Sequence, residues 1–237
     1  MSANKTKPIF VTAVIAAGGS SARMNGENKL LFNIGDIPVI AHSLLAFQNC
    51  DIISEIIISA HESNLQKYAD IAAEYNITKL TKVVKGGKTR LHSVYNAVVE
   101  SSKKAGYILV HDAARPLVSD SDIRTVVEDT IKYHCAAAST KVTDTVKKVS
   151  DRLVVSTVDR TDLYTVQTPQ GADRDLLLGA LQKAVNCADE SVTDECSALE
   201  KMGIKPYMSD CSVTNIKITY PQDVFLAKAI YDRRNDI

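Results

Sequence analysis

A pair of glycines followed by two spaced cations is the first group of residues here that could do chemistry. The run Ala17-Gly18-Gly19-Ser20-Ser21-Ala22-Arg23-Met24 leads to Asn28-Lys29 and follows directly on the apolar run Phe10-Val11-Thr12-Ala13-Val14-Ile15-Ala16. A buried strand that breaks into small residues exposes backbone N–H groups at its carboxyl end, and paired glycines let that backbone approach an anion. Arg23 and Lys29 then supply the positive charge a triphosphate demands. No G-K-[ST] follows the glycines and G-x-G-x-x-G is absent, so this is neither a Walker loop nor a dinucleotide fingerprint. It reads as a loop for nucleotide phosphates, against the plainer reading of an ordinary tight connection.

Four other segments carry candidate groups. Val110-His111-Asp112-Ala113-Ala114-Arg115-Pro116 sets a carboxylate and a guanidinium just past an apolar strand, the edge where open α/β sheets bind ligands. Asp112 could approach a magnesium–phosphate complex; alternatively it forms a turn with Arg115 paired to it. Gly86-Gly87-Lys88-Thr89-Arg90 repeats the glycine logic, with Thr89 a candidate N-cap and Arg90 and Ser93 sharing the face of the helix it opens. Backbone at that double glycine could read the edge of a base. Asn215-Ile216-Lys217-Ile218-Thr219 alternates strictly, which predicts a strand with Asn215, Lys217 and Thr219 on one face. Thr193-Asp194-Glu195 reads as a helix N-terminus capped by Thr193 or Asp194.

These groups need a frame, and the chain predicts one. β-rich runs at 10–16, 55–59, 82–84 and 107–110 alternate with helical patterns near 40–48, 64–75, 91–99 and 123–131. That alternation argues for an α/β fold, a mostly parallel doubly wound sheet with helices on both faces. Residues 10–237 read as one domain behind a polar tail over 1–9. From Thr143 to Thr157 the helical period disappears, and two β-rich halves flank Ser150-Asp151-Arg152. This predicts a projecting β-hairpin over about 143–158. A two-stranded ribbon is barely stable alone in water, so it packs either on a second copy of the chain or back on its own domain. Arg160 lies just beyond it.

Composition excludes several classes. The 28 basic and 28 acidic side chains cancel, which argues against a nucleic-acid or anionic-membrane partner. No apolar run is long enough for a transmembrane helix, and Met1 to Pro8 lacks a signal-peptide core. Five scattered cysteines without a C-x-x-C pair suit a reducing, cytoplasmic setting and argue against a zinc site.

Taken in order, the motifs resemble the 2-C-methyl-D-erythritol 4-phosphate cytidylyltransferase family. The matching pieces are the glycine loop with Arg23-Met24 and Asn28-Lys29, Gly86-Gly87 with Arg90 and Ser93, and His111-Asp112-Ala113-Ala114-Arg115-Pro116. They continue with Thr143-Asp144-Thr145-Val146-Lys147, Thr157-Val158-Asp159-Arg160, Gln167-Thr168-Pro169-Gln170, Thr193-Asp194-Glu195-Cys196-Ser197-Ala198-Leu199-Glu200 and Asn215-Ile216-Lys217-Ile218-Thr219. Three positions depart from the family's usual pattern. Gly19-Ser20-Ser21-Ala22 replaces the centre of its Ala-Ala-Gly-x-Gly-x-Arg-Met loop, Asn28-Lys29-Leu30 stands for Pro-Lys-Gln, and Lys88 stands for an acidic residue.

The resemblance implies a homodimeric, Mg²⁺-dependent enzyme that joins CTP to methylerythritol phosphate, with the hairpin as its dimerisation arm. It assigns CTP to Ala17, Gly18, Gly19, Gly87, Lys88 and Ser93, with Lys88 contacting through its backbone. It assigns catalysis to Arg23, Lys29, Arg160 and Lys217, and the sugar phosphate to Asp112, Arg115, Thr145, Arg160 and Thr193. Asp112 is also the one candidate metal ligand. The residue types fit the chemistry. A phosphate monoester has a second pKa of about 6, so the acceptor is already a nucleophile near neutral pH and the obstacle is anion–anion repulsion. A ribitol-5-phosphate cytidylyltransferase, or an inactive nucleotide-binding regulator, is the competing expectation. The Asp112–Pro116 and Thr193–Glu195 segments favour the methylerythritol reading over the ribitol one, and the four cations argue against a mere binder.

Overall fold

In the computed structural model, Val11–Ala17 (β1) is apolar except for Thr12, whose hydroxyl donates to Glu55 at 2.7 Å, because helices cover both of its faces. The structure describes residues 9–19, 27–189 and 191–235; residues 1–8 of the expected 1–9 tail and the loop residues 20–26, Arg23 included, lie outside them. After β1 come a 3-10 turn at Lys29–Leu31, a short ribbon of β2 (Asn33–Ile34) and β3 (Ile37–Pro38), and α1 (Val39–Asn49). Then β4 (Glu55–Ala60), α2 (Leu65–Glu74), β5 (Leu80–Lys85), α3 (Arg90–Val99) and β6 (Tyr107–Asp112) alternate. The second half runs α4 (Asp120–Tyr133), β7 (Cys135–Lys141), β8 (Lys147–Ser150), β9 (Leu153–Thr157) and β10 (Tyr164–Asp173). It ends with α5 (Arg174–Asn186), α6 (Glu195–Glu200), β11 (Tyr207–Asp210) and α7 (Pro221–Asn235).

Seven strands form one sheet in the order β11-β7-β10-β6-β1-β4-β5. β10 runs antiparallel to both neighbours, and every other pairing is parallel. The period of two along the central strands divides the core cleanly. Ala13, Ile15, Ile56, Ile58 and Leu109 pack on the side of α1, α2 and α4, while Val14, Ile57, Ile108 and Val110 pack on the side of α3 and α5. The expected doubly wound, mostly parallel α/β fold is therefore the one observed.

Two local outcomes bear on the site. The hairpin forms as a separate two-stranded sheet of β8 and β9, with every residue of both strands exposed. Its turn puts Asp151 and Arg152 at φ 48° and 67°, the left-handed pair whose twist suits a tight hairpin. By contrast, the predicted strand at 215–219 does not exist. That segment lies outside every sheet, and Asn215 and Ile218 are its buried residues while Lys217 is exposed. Alternation failed there because the chain is held by side-chain contacts and single backbone bonds rather than by a ladder. Ile218 N donates to Ala114 O at 2.8 Å, and Arg115 Nη1 donates to Asn215 O at 2.8 Å.

Candidate functional site

At the carboxyl edge of the parallel strands lies a cleft of about 440 Å³, within the size range of small-molecule sites. Ala16, Ala17, Gly18 and Gly19 at the end of β1 form one wall, Gly87 to Arg90 and Ser93 another, and Asp112, Ala114, Lys217 and Thr219 the rest, with Lys29 across the mouth. Among the described residues, four cations line it (Lys29, Lys88, Arg90 and Lys217) against the single carboxylate Asp112. That balance suits a polyanion.

Each wall has a local cause. Thr89 caps α3 by accepting from His92 N, as its sequence position predicts. Gly87 passes so close to α3 that an added Cβ would stand 2.3 Å from His92 Cβ, a clash that only glycine avoids. Its N–H donates to Ser93 Oγ at 3.0 Å, which ties the glycine turn to the helix it precedes. Lys29 opens the 3-10 turn because Asn28 caps it, accepting from Leu30 N at 3.2 Å while its own Nδ2 donates to Tyr68 Oη at 2.9 Å. From there Lys29 Nζ reaches the Ile218 carbonyl at 2.6 Å, joining the β1 side of the cleft to the 215–219 segment.

Asp112 is the electrostatic centre. Arg90 Nη2 lies 3.2 Å from its Oδ1, and Lys217 Nζ lies 2.6 Å from its Oδ2. Burial alone would raise this carboxyl, but Arg90 and then Lys217 outweigh it and hold Asp112 well below the usual carboxylate range. Burial works against the Arg90 charge as well, and Glu195 and Asp112 together reverse that and raise it. The alternative reading, a turn with Arg115 ion-paired to Asp112, is met only in its turn. Arg115 N closes the turn onto Asp112 O at 2.9 Å, while the guanidinium turns to the Asn215 carbonyl and burial lowers its pKa.

The neighbouring His111 is fully buried and plays a structural part. Its Nε2 faces the Arg115 carbonyl at 3.1 Å, so that nitrogen carries the proton. Thr168 Oγ1 stands 3.1 Å from Nδ1 and donates to it, while itself accepting from Asp112 N at 3.0 Å. Desolvation lowers the imidazole pKa to about 4, so the ring is neutral and its tautomer fixed.

Among the expected site residues, the structure brings Ala17, Gly18, Gly19, Lys29, Gly87, Lys88, Ser93, Asp112 and Lys217 to one cleft. Arg115 stands behind it, propping the 215–219 segment. Thr193 is exposed just before α6, whose N-cap is Asp194, in a reciprocal capping box with Ser197. Thr145 and Arg160 lie at the base of the hairpin, where the Arg160 guanidinium donates to the Thr143 carbonyl. None of these four lines the cleft.

Sequence reasoning gave Arg90 no role beyond its helix face and gave Glu195 none at all. It also read Gln167-Thr168-Pro169-Gln170 only as a family mark. The structure makes that run a latch. The pairing of β10 with β7 shifts register between Val166 and Gln170, and such a bulge re-aims side chains. Gln167 Oε1 then accepts from Asn215 Nδ2 at 2.9 Å, Thr168 holds Asp112 and His111, and Gln170 Oε1 accepts from Cys196 N at 3.0 Å. Three side chains of one run thereby fix three parts of the site. The signal available in sequence was a run of amide and hydroxyl side chains, Gln167, Thr168 and Gln170, set around a proline.

An open α/β sheet with a glycine-walled, cation-lined cleft at its carboxyl edge defines a phosphate-binding protein of the nucleotide-handling kind. The comparisons with known proteins narrow that class. Residues 11–233 match the family model described as 2-C-methyl-D-erythritol 4-phosphate cytidylyltransferase. A relative of that name from Halalkalibacterium halodurans is 36% identical over 220 residues, 92% of this chain and 96% of its own length. One from Clostridium botulinum is 34% identical over 224 residues, 94% and 97% of the two chains. Among solved structures, the 4-diphosphocytidyl-2C-methyl-D-erythritol synthase of Anaerococcus prevotii superposes with a TM-score of 0.85 at 26% identity, covering 95% of this chain and 97% of that one. The cytidylyltransferase of Francisella tularensis superposes at 0.77 with 29% identity, covering 92% and 98%. The chain belongs to the 2-C-methyl-D-erythritol 4-phosphate cytidylyltransferase family.

Proposed function

We propose that this protein transfers CMP from CTP to 2-C-methyl-D-erythritol 4-phosphate with release of pyrophosphate. The observation that carries the reading is the ring of Lys29, Lys88, Arg90 and Lys217 around one glycine-walled cleft. Joining two phosphates needs cations and aligned N–H donors rather than a protein nucleophile. The histidine behind the cleft, neutral and hydrogen-bonded at both nitrogens, is consistent with a reaction that asks for no base.

In this reading Ala17, Gly18 and Gly19 take the triphosphate, and Arg23 and Lys29 stabilise charge on the transferring phosphoryl group. Gly87, Lys88 and Ser93 take the base. Lys217, held by Asp112, positions the acceptor phosphate for in-line attack at the α-phosphorus, and the family resemblance adds Arg115 and Thr193 to the acceptor's side. Divalent magnesium would neutralise triphosphate charge. Asp112 is the one carboxylate lining the cleft among the described residues, and a cation already meets each of its oxygens. The residues present do not make a protein cage for Mg²⁺, so in this proposal the ion arrives with CTP, and Asp112 orders Arg90 and Lys217.

We further propose a homodimer built through the β8–β9 hairpin. The ribbon exposes Val149, Leu153, Val154 and Val155, an apolar cluster in want of a cover, and Thr145 and Arg160 at its base would serve a neighbour's cleft. The five unpaired cysteines support a cytoplasmic setting. The deciding experiment follows pyrophosphate from CTP and Mg²⁺ with each acceptor separately. Methylerythritol phosphate should support turnover and ribitol 5-phosphate should not; equal turnover with ribitol 5-phosphate would sink the assignment.

A further inference from the structure

Arg90 is shared unequally between two carboxylates. Toward Glu195 it presents a fork, Nη1 to Oε1 at 2.7 Å and Nη2 to Oε2 at 3.0 Å. Toward Asp112 its Nε and Nη2 both converge on one oxygen, Oδ1, at 3.3 and 3.2 Å. The other oxygen, Oδ2, is thereby left to Lys217 Nζ at 2.6 Å. Glu195 is itself 3% exposed and does not line the cleft. Its place is set by α6, whose start is held through Gln170 to Asp194 Oδ2 at 3.0 Å and to Cys196 N at 3.0 Å.

We propose that Glu195 is a positioning residue: by occupying the fork of Arg90 it reserves Asp112 Oδ2 for Lys217 and so holds the Lys217 ammonium in the cleft. The physical reason is a competition. A guanidinium prefers to meet a carboxylate two-on-two, whereas an ammonium is a point charge with no such geometry. Released from Glu195, Arg90 would take both oxygens of Asp112 and evict Lys217. The rival account is that Glu195 merely ties α6 to α3 through Arg90. It predicts a loss of stability and no specific effect on Lys217.

The test uses Glu195→Gln, which keeps the shape and removes the charge. Ligand-free protein is treated with limiting acetic anhydride, and acetylation of Lys217 is measured by peptide mass spectrometry against Lys88 in the same sample. Lys217 should label several-fold faster than in wild type, because an amine that has lost its carboxylate partner is easier to acylate. In the double variant Arg90→Lys/Glu195→Gln labelling should return toward wild type, since a second ammonium cannot span both Asp112 oxygens. Should the single variant not fold, Glu195→Asp, which keeps the charge but draws the carboxylate one methylene back from the Arg90 fork, should also raise Lys217 labelling, and an unchanged ratio there equally overturns the proposal. An unchanged Lys217-to-Lys88 ratio in Glu195→Gln, or no return in the double variant, overturns the proposal.

A kinetic cycle gives the second readout and rests on the proposed transfer reaction. Glu195→Gln should lower kcat by roughly tenfold in wild type yet by less than about twofold in Lys217→Ala, the pattern of two residues acting as one unit. Equal losses in both backgrounds would mean a structural tie only. A wild-type protein that released no pyrophosphate would sink the functional reading, and the labelling experiment would still decide the role of Glu195.

Discussion

The cleft edge and the hairpin arm are opposite solutions to placing a charged side chain. At the cleft three of the four cations among the described residues, all but the exposed Lys88, are held by their own chain. Lys29 rests on the Ile218 carbonyl, Lys217 on Asp112, and Arg90 on Asp112 and Glu195. Behind them Asn215 is completely buried and donates to Gln167 and Thr168. On the arm all five residues of β9 are exposed, Leu153 at 73%. The cleft has spent its contacts inward, which is what electrostatic preorganisation demands. The arm has spent none of its apolar surface. The difference teaches that contacts within one chain account for the cleft, whereas the arm leaves its apolar side chains uncovered, which is what the proposed second chain would answer.

The largest expected effect tests that division directly. Arg160→Ala should be nearly inactive as a homodimer, although it touches nothing in its own cleft. Mixed with an equally crippled Lys29→Ala protein under subunit exchange, it should regain activity. One of the two sites in such a heterodimer has its own Lys29 and receives an intact Arg160. Random pairing puts about half the dimers in this state, each with one working site, so recovery should approach roughly a quarter of wild type. No recovery despite demonstrated exchange would break the comparison, because Arg160 would then act within its own chain or not at all.

Next in size is the cleft itself. Lys29→Ala should lower kcat by roughly 10²–10³, the scale of losing one preorganised charge-stabilising donor. CTP binding, measured by titration calorimetry, should change less. A near-normal kcat would remove Lys29 from the transition state and leave it the tether of the 215–219 segment, through its bond to Ile218.

What could be read in advance follows the same boundary. The first half, β1 to α4, was legible because its strands are apolar runs and its helices keep a clear period. β7 was not, since Cys135-Ala136-Ala137-Ala138 carries little β-signal and becomes a strand only by lying between β10 and β11. β10 hid behind Pro169 and Gly171, residues that ordinarily argue against a central strand. At the site, the glycines, Lys29 and Asp112 were legible by type and position, and Lys217 only through the family resemblance. Glu195 and Arg90 were not, because their meeting depends on how α6 docks, a distance of 105 residues along the chain. The alternation at 215–219 misled for a related reason: it counted side chains and could not know that the partners were Gln167, Thr168 and Arg115.

The third prediction concerns acid. Folded His111 has its pKa depressed from 6.5 to about 4, so it stays neutral while the unfolded chain takes up a proton. Stability should therefore be full above about pH 6.5 and fall as the pH drops toward 4, by on the order of 3 kcal/mol from this group. Asp112, depressed below its usual value by Arg90 and Lys217, adds a further loss only at lower pH, where unfolded carboxylates protonate. Urea unfolding at pH 7, 5 and 4 checks this. His111→Gln should be less stable at pH 7 and show a flatter slope between pH 6.5 and 4. An unchanged slope would mean that the imidazole is not the group that resists protonation.

The smallest effect on the folded chain is expected at the arm. Leu153→Asp replaces a side chain that is 73% exposed and lies on an all-exposed strand. A surface change of this kind is worth within about 0.5 kcal/mol to the stability of one chain. Association should respond quite differently, because a carboxylate would then have to be buried against the neighbour without a partner. Sedimentation should find the variant shifted from dimer toward monomer. Its unfolding midpoint should lose the dependence on protein concentration that a dimer confers. A circular-dichroism melt of the dilute monomer should match that of dilute wild type. If Leu153→Asp instead lowered the stability of the monomer itself by several kcal/mol, the hairpin would be packing on its own domain. The contrast between an inward-braced cleft and an outward-facing arm would then be lost.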